Sequence, residues 1–176
     1  MIGTISTIMM LAAPILIIAT GGMICERSGV TNVGLDGLMS IGACTAAIVH
    51  QLLEAAGVGR ISLTVALLAA ALVSMLISVL HAIASVDLKS DQTISGTGIN
   101  LLATGITVFV CQRIYGTDRS TEFKMGMVKD GIGFYPTLYI AIVVVVLAWF
   151  ILYKTPFGMH LRACGEHPAA ADSVGI

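Results

Sequence analysis

Apolar runs alternate with short polar breaks along the whole chain, and five of the runs have the length of a membrane crossing: residues 5–25, 38–57, 61–86, 92–112 and 132–153. Each is near the ~20 residues that a helix rising ~1.5 Å per residue needs to cross ~30 Å of hydrocarbon. The third is longer than that, so it is expected to tilt or kink. The pattern predicts an all-α fold, a polytopic transmembrane helical bundle of about five spans.

Inside the runs, the polar and small residues say which face meets what. Pro14 falls in the middle of the first run and removes a backbone donor there, which predicts a kink. In the second, Gly42 and Ala46 stand one turn apart, beside Ala43 and Ala47; His50 and Glu54 near its far end are expected to reach the interface. Ala66, Ala70, Ser74, Ser78 and Ala82 recur every four residues along the third run, a ridge that lets another backbone come close. This span is expected inside a bundle, with His81 buried beside the ridge. The fourth run carries Thr93, Thr97, Asn100, Thr104 and Thr107 on one helical stripe. Threonines bond readily to their own helix, whereas the Asn100 amide needs partners from elsewhere, on another helix or along a water-filled path. In the fifth run, Tyr135 and Tyr139 at one end and Trp149 and Tyr153 at the other predict aromatic belts at the two headgroup levels.

The breaks differ in character. Glu26-Arg27-Ser28-Gly29-Val30-Thr31-Asn32-Val33-Gly34-Leu35-Asp36-Gly37 is polar and punctuated by three glycines, so its backbone is able to approach another group closely. Residues 86–91 form a short charged turn, and residues 113–130 a mixed-charge, solvated loop. After Thr155-Pro156 ends the last span, Pro168 is placed to open a short helix that Gly175 closes. A helix that short must lean on something, which suggests a docking element outside the bilayer.

Composition strengthens the membrane reading. The chain is 57% hydrophobic and 11% charged, where a soluble domain carries about 25% charged residues. Mean hydropathy is +0.97. A fold of 176 residues could not hide that much apolar surface from water. The net charge of -1 offers no basic patch for nucleic acid. Cys25, Cys44, Cys111 and Cys164 show neither paired nor zinc-type spacing, so they read as small apolar residues and no metal site is expected. With no Lys or Arg ahead of it, the first run reads as a span and not as a cleavable leader.

Three stretches together resemble one family. The break from Glu26 through Gly37, followed by Leu38-Met39-Ser40-Ile41-Gly42-Ala43, is similar to a segment of ABC importer permeases of the nucleoside and simple-sugar branch, related to ribose permeases. Asp91-Gln92-Thr93-Ile94-Ser95-Gly96-Thr97-Gly98-Ile99-Asn100 resembles a second segment of that branch. The third is Thr155-Pro156-Phe157-Gly158 through Gly165-Glu166-His167-Pro168 and Ala170-Ala171-Asp172 to Gly175-Ile176. The resemblance implies that residues 1–176 are the N-terminal portion of one permease transmembrane domain, with residues 154–176 as the coupling segment and about half of the family's length absent.

It also implies a multi-pass protein of a bacterial plasma (inner) membrane that transports and does not catalyse. Its expected partners are an ATPase subunit, a second permease subunit, an extracytoplasmic substrate-binding protein or lipoprotein, membrane lipid, and a nucleoside or simple-sugar substrate. The chain has no Gly-rich phosphate loop followed by Lys and Ser/Thr, so ATP and its Mg are expected on the partner ATPase. Substrate contacts are expected from Asn32, Asp36, Thr97 and Asn100, and ATPase coupling from Glu166, His167, Pro168, Ala170, Ala171, Asp172 and Gly175. The implied topology leaves Arg27, Lys89, Lys154 and Arg162 inside against Arg60, Arg113, Arg119, Lys124 and Lys129 outside, so charge bias does not choose the orientation.

Two rival classes are weighed against this. A secondary transporter or channel also builds sites around broken, Gly-rich helices, and proton- or sodium-driven uptake without an ATPase would mark it. An intramembrane enzyme would need Ser28, His50 or His81, yet Ser28 lacks the strand-to-helix setting of a nucleophile elbow.

Overall fold

A computed structural model describes residues 2–120 and 133–175. Its helices are α1 (Ile2–Arg27), α2 (Leu35–Ala55), α3 (Ile61–Ala82), α4 (Gln92–Tyr115), α5 (Pro136–Lys154), α6 (Pro156–Glu166) and α7 (Pro168–Ser173), with a π-helical turn at Ile83–Asp87. Five of these elements are long and apolar enough to cross a membrane. Their outward side chains are apolar and bare: Leu101 is 78% exposed and Ile94 72%. Apolar faces on that scale are untenable in water, and the chain is a multi-pass membrane protein.

The spans lie where the hydropathy puts them, but their ends are set by glycines. Glu26 and Arg27, read as part of the break, are the last turn of α1, which continues on both sides of Pro14. Gly29, at φ +83°, stops it: its N–H bonds to Glu26 O (3.1 Å) and Val30 N–H to Cys25 O (3.1 Å). That doubled closure satisfies two of the carbonyls a helix end leaves open. Gly57, at φ +78°, ends α2 in the same way through Glu54 O and Leu53 O, so that span stops at Ala55 and not at 57. Gly116, at φ +69°, ends α4 three residues beyond the expected 112, and Arg113 is helical. Pro136 opens α5 as a first helical residue; residues 121–132, which include the expected start of this span and most of the expected loop, lie outside the described residues.

The chain divides into two compact units, residues 1–32 with 127–176 and residues 33–126. In the first, α1 packs on α5 and α6. Ser6, Ala13 and Thr20 recur every seven residues on α1 and are buried; Ala141, Ala148 and Leu152 are buried on α5. Small residues at that repeat let backbones approach where lipid supplies no hydrophobic drive. Ser6 Oγ donates to Gly133 O at 2.6 Å where the two helices begin.

In the second unit, α2 packs on α3 and on α4. The small-residue ridge of α3 meets α2: Ser74 Oγ donates to Leu38 O at 3.1 Å, a Cβ on Gly42 would stand 2.8 Å from Ser74 Oγ, and Ala66 and Ala70 are buried. His50, expected at the interface, is 4% exposed. Glu54 Oε1 stands 3.2 Å from its Nε2 and Ser62 Oγ 3.1 Å from its Nδ1, so the start of α3 closes over it. His81 is buried as expected, with Ser95 Oγ 3.0 Å from its Nδ1.

Candidate functional site

The second half of the polar break lies against α4. Asn100 Nδ2 donates to Val33 O at 2.9 Å, and Gly37 N–H donates to Asn100 Oδ1 at 2.8 Å. One amide thereby clamps the backbone on both sides of the α2 start. Two glycines make room for the clamp. A Cβ on Gly37 would stand 2.9 Å from Asn100 Cα, and one on Gly96 2.8 Å from Gly34 N. Real Cβ atoms essentially never come within 3.0 Å of backbone in this way, so no side chain fits at either place without displacing the neighbouring chain. The Gly96 and Asn100 elements of one sequence motif are thus the seat for the Val33-Gly34 and Gly37 elements of another.

The amino end of α4 is fixed separately. Asp91 caps it, accepting from Thr93 N at 2.7 Å and Ile94 N at 3.1 Å. Backbone bonds from Ile94 and then Thr93 hold the Asp91 carboxyl below its usual range. Along the threonine stripe, Thr97 Oγ1 donates to Thr93 O at 2.9 Å, Thr104 Oγ1 to Asn100 O at 2.9 Å, and Thr107 Oγ1 to Thr104 O at 3.1 Å. These hydroxyl protons are spent on their own helix; the oxygen lone pairs of the exposed Thr97 still face outward. Asp36 is exposed in the first turn of α2, where the helix dipole favours a carboxylate. Asp36, Thr97 and Asn100 belong to the second unit; Asn32, half-buried, is the last residue of the other unit's first segment.

The first half of the break meets the tail. Thr155 both ends α5 and caps α6: its Oγ1 donates to Ile151 O at 2.6 Å and accepts from Gly158 N at 3.3 Å. Pro156 then opens α6, a helix of 11 residues. The proline that reads as a stop in the sequence is therefore also a start, and α6 is a helix the apolar pattern does not announce. Gly158 is pressed so tightly on the last turn of α5 that a Cβ there would overlap Ile151 O and Leu152 O. Gly165, at the far end of α6, crosses the end of α1; its Cβ would overlap Arg27 O and stand 2.9 Å from Gly29 N. Arg162 lies 4.9 Å from the Tyr153 ring and Lys154 5.4 Å from the Trp149 ring, cation–π contacts at the end of α5.

Beyond this elbow, α7 leans back on α6 through Ala171, which is 4% exposed. The expected coupling residues Glu166, His167, Pro168, Ala170, Asp172 and Gly175 are all exposed, while Ala171 faces inward. The two helices frame an open groove of about 370 Å³, lined by Ala163, Glu166, His167, Ala170, Ala171 and Val174. Ser28 Oγ donates to Cys25 O at 2.7 Å, a bond that ties it to its own helix end. Sequence spacing also hid one pair. Cys44 and Cys111 lie with their Sγ atoms 4.0 Å apart.

Residues 4–176 match the family model described as branched-chain amino acid transport system, permease component. The guanosine ABC transporter permease protein NupQ of Bacillus subtilis is 43% identical over 94% of this chain and 56% of its own length. The nucleoside ABC transporter permease protein NupC of Lactococcus lactis is 35% identical over 98% of this chain and 58% of its own. A putative glucose ABC transporter permease protein of Haloferax volcanii, TsgC13, is 31% identical over 99% of this chain and 55% of its own. The chain thus spans just over half the length of the curated relatives it matches, and no solved structure matches it. A family match over residues 4–176, with Gly37, Gly96, Gly158, Gly165 and Asn100 of the motifs engaged in close packing, means that this chain belongs to the permease-component family of these transport systems.

Proposed function

We propose that residues 1–176 are the N-terminal portion of the transmembrane domain of an importer permease for nucleosides in a bacterial plasma membrane. The observation that carries this reading is the 43% identity to a guanosine permease, sustained over 94% of the chain. The permease lines the path with a second permease subunit, an external binding protein delivers the substrate, and a separate ATPase chain binds ATP with Mg and hydrolyses it. The exposed α6–α7 elbow suits the ATPase contact. Its small alanines permit close approach, and Glu166 and Asp172 offer charge to basic residues at a rim. Closure of the ATPase dimer would move the elbow and the helices rigidly attached to it.

Asp36 and Thr97 supply acceptors for ribose hydroxyls, with Asn32 as a further polar contact along the path. Asn100 has one N–H and one lone pair left after its two backbone bonds, one donor and one acceptor for substrate. Deleting the gene and following labelled guanosine, adenosine and glucose tests the reading. Nucleoside uptake should fall and return with the full-length gene, while glucose uptake stays constant; unchanged nucleoside uptake would overturn it.

A further inference from the structure

Cys44 on α2 and Cys111 on α4 are both free thiols, their Sγ atoms 4.0 Å apart; Cys111 is 9% exposed and Cys44 half-buried. They lie in the seam that Asn100 closes: Gly37 and Cys44 are two turns apart on one face of α2, as Ala103 and Cys111 nearly are on α4. Two sulfurs on one ion at ~2.3 Å per bond stand ~3.8 Å apart in a tetrahedral arrangement and ~4.6 Å apart in a linear one. A spacing of 4.0 Å is short of the linear value by ~0.6 Å, a gap that small side-chain rotations close. A disulfide would require the sulfurs to close to ~2.05 Å, a much larger movement.

The surroundings select the kind of ion. Among the described residues no group of three His, Cys, Asp or Glu is placed to hold a metal, so a cation that demands four protein ligands is not served. Sulfur selects soft ions over hard ones. An apolar seam penalises net charge, and two thiolates on a dication form a neutral group. Cys111 stands one helical turn before the end of α4 at Tyr115, near the end of the span and not at its middle.

We propose that Cys44 and Cys111 form a two-thiolate site for one soft, thiophilic, two-coordinate dication, and that the bound ion staples α2 to α4. Each S–H gives its proton to solvent as its sulfur–metal bond forms. Two protons leave per ion, and nothing is oxidised or reduced.

Mercuric chloride is the probe. In reduced, detergent-purified protein with every cysteine except Cys44 and Cys111 replaced by serine, one equivalent should remove both thiols from reaction with a maleimide. Glutathione should strip the ion from Cys44→Ser and Cys111→Ser at roughly 100-fold lower concentration than from the pair, because the second bond is intramolecular. Loss of one thiol per equivalent, or equal glutathione sensitivity in pair and single-thiol proteins, overturns the proposal. If the multiple substitution does not fold, the natural protein decides the matter instead. After a glutathione wash, alkylation mapping should find Cys44 and Cys111 labelled in mercury-free protein and protected in mercury-treated protein, with Cys25 and Cys164 labelled in both; equal labelling of Cys44 and Cys111 with and without mercury overturns it.

Discussion

Asn100 illustrates how a polar residue survives at membrane depth. Its amide meets Val33 O and Gly37 N–H, two backbone groups that the start of α2 leaves without helical partners. Each such bond is worth about 0.5–1.5 kcal/mol net, and in membrane helices about 0.6 on average. Asn100→Ala should therefore lower stability by about 1–3 kcal/mol, seen as a lower melting temperature in detergent; an unchanged melting temperature would remove the clamp. The glycines sort by what surrounds them. Gly158→Ala should cost about 1–3 kcal/mol or more, because its methyl has only the carbonyls of Ile151 and Leu152 to enter. Gly98→Ala on α4 has nothing within 4 Å and should gain about 0.5–1 kcal/mol of helix propensity. Opposite signs for two Gly→Ala changes, read as thermal shifts, check the packing directly. The need of Asn100 for an outside partner was legible from its chemistry. The Cys44–Cys111 pair was not, since no local periodicity links residues on different helices.

At the scale of elements, hydropathy locates the spans because lipid requires every crossing to be a continuous, self-bonded helix, and that requirement leaves a long apolar signal. It misplaces the ends because charge is a poor stop signal. Glu26, Arg27 and Arg113 sit inside helices that run on until Gly29 or Gly116 turns left-handed. α6 escapes the sequence pattern for a related reason: Pro156 removes one donor, and that loss is harmless in a first turn. The start of α4 has its own pH signature. Because Asp91 titrates lower in the folded chain than the ~3.9 of a free carboxylate, its contribution is fully present above that value. It is lost as pH falls through the lower folded value. The stability gap between the natural protein and Asp91→Ala should hold from neutral pH down to about 4 and narrow below it. Melting curves across that range check this, and a gap independent of pH would place the cap bonds elsewhere.

For the whole molecule, the geometry of the α6–α7 elbow allows a test that separates docking from folding. The elbow is held to the rest of its unit by close contacts at Gly158 and Gly165, and α7 is held to α6 at the buried Ala171, whereas Ala170 faces the groove and is exposed. A bulky side chain at Ala170 therefore fills the groove of about 370 Å³ without entering the packed side of α7. Ala170→Trp should leave membrane insertion and melting temperature unchanged. If an ATPase subunit seats a complementary surface there, its co-purification should fall at least about 10-fold, equivalent to about 1.4 kcal/mol of lost binding. Nucleoside uptake should fall with it. Charge reversal at Glu166 or Asp172 should do less, because exposed ion pairs at a rim contribute about 0–1 kcal/mol each. An Ala170→Trp protein that still recovers the ATPase and transports at the natural rate would show that the groove is not the docking surface, while the fold would stand.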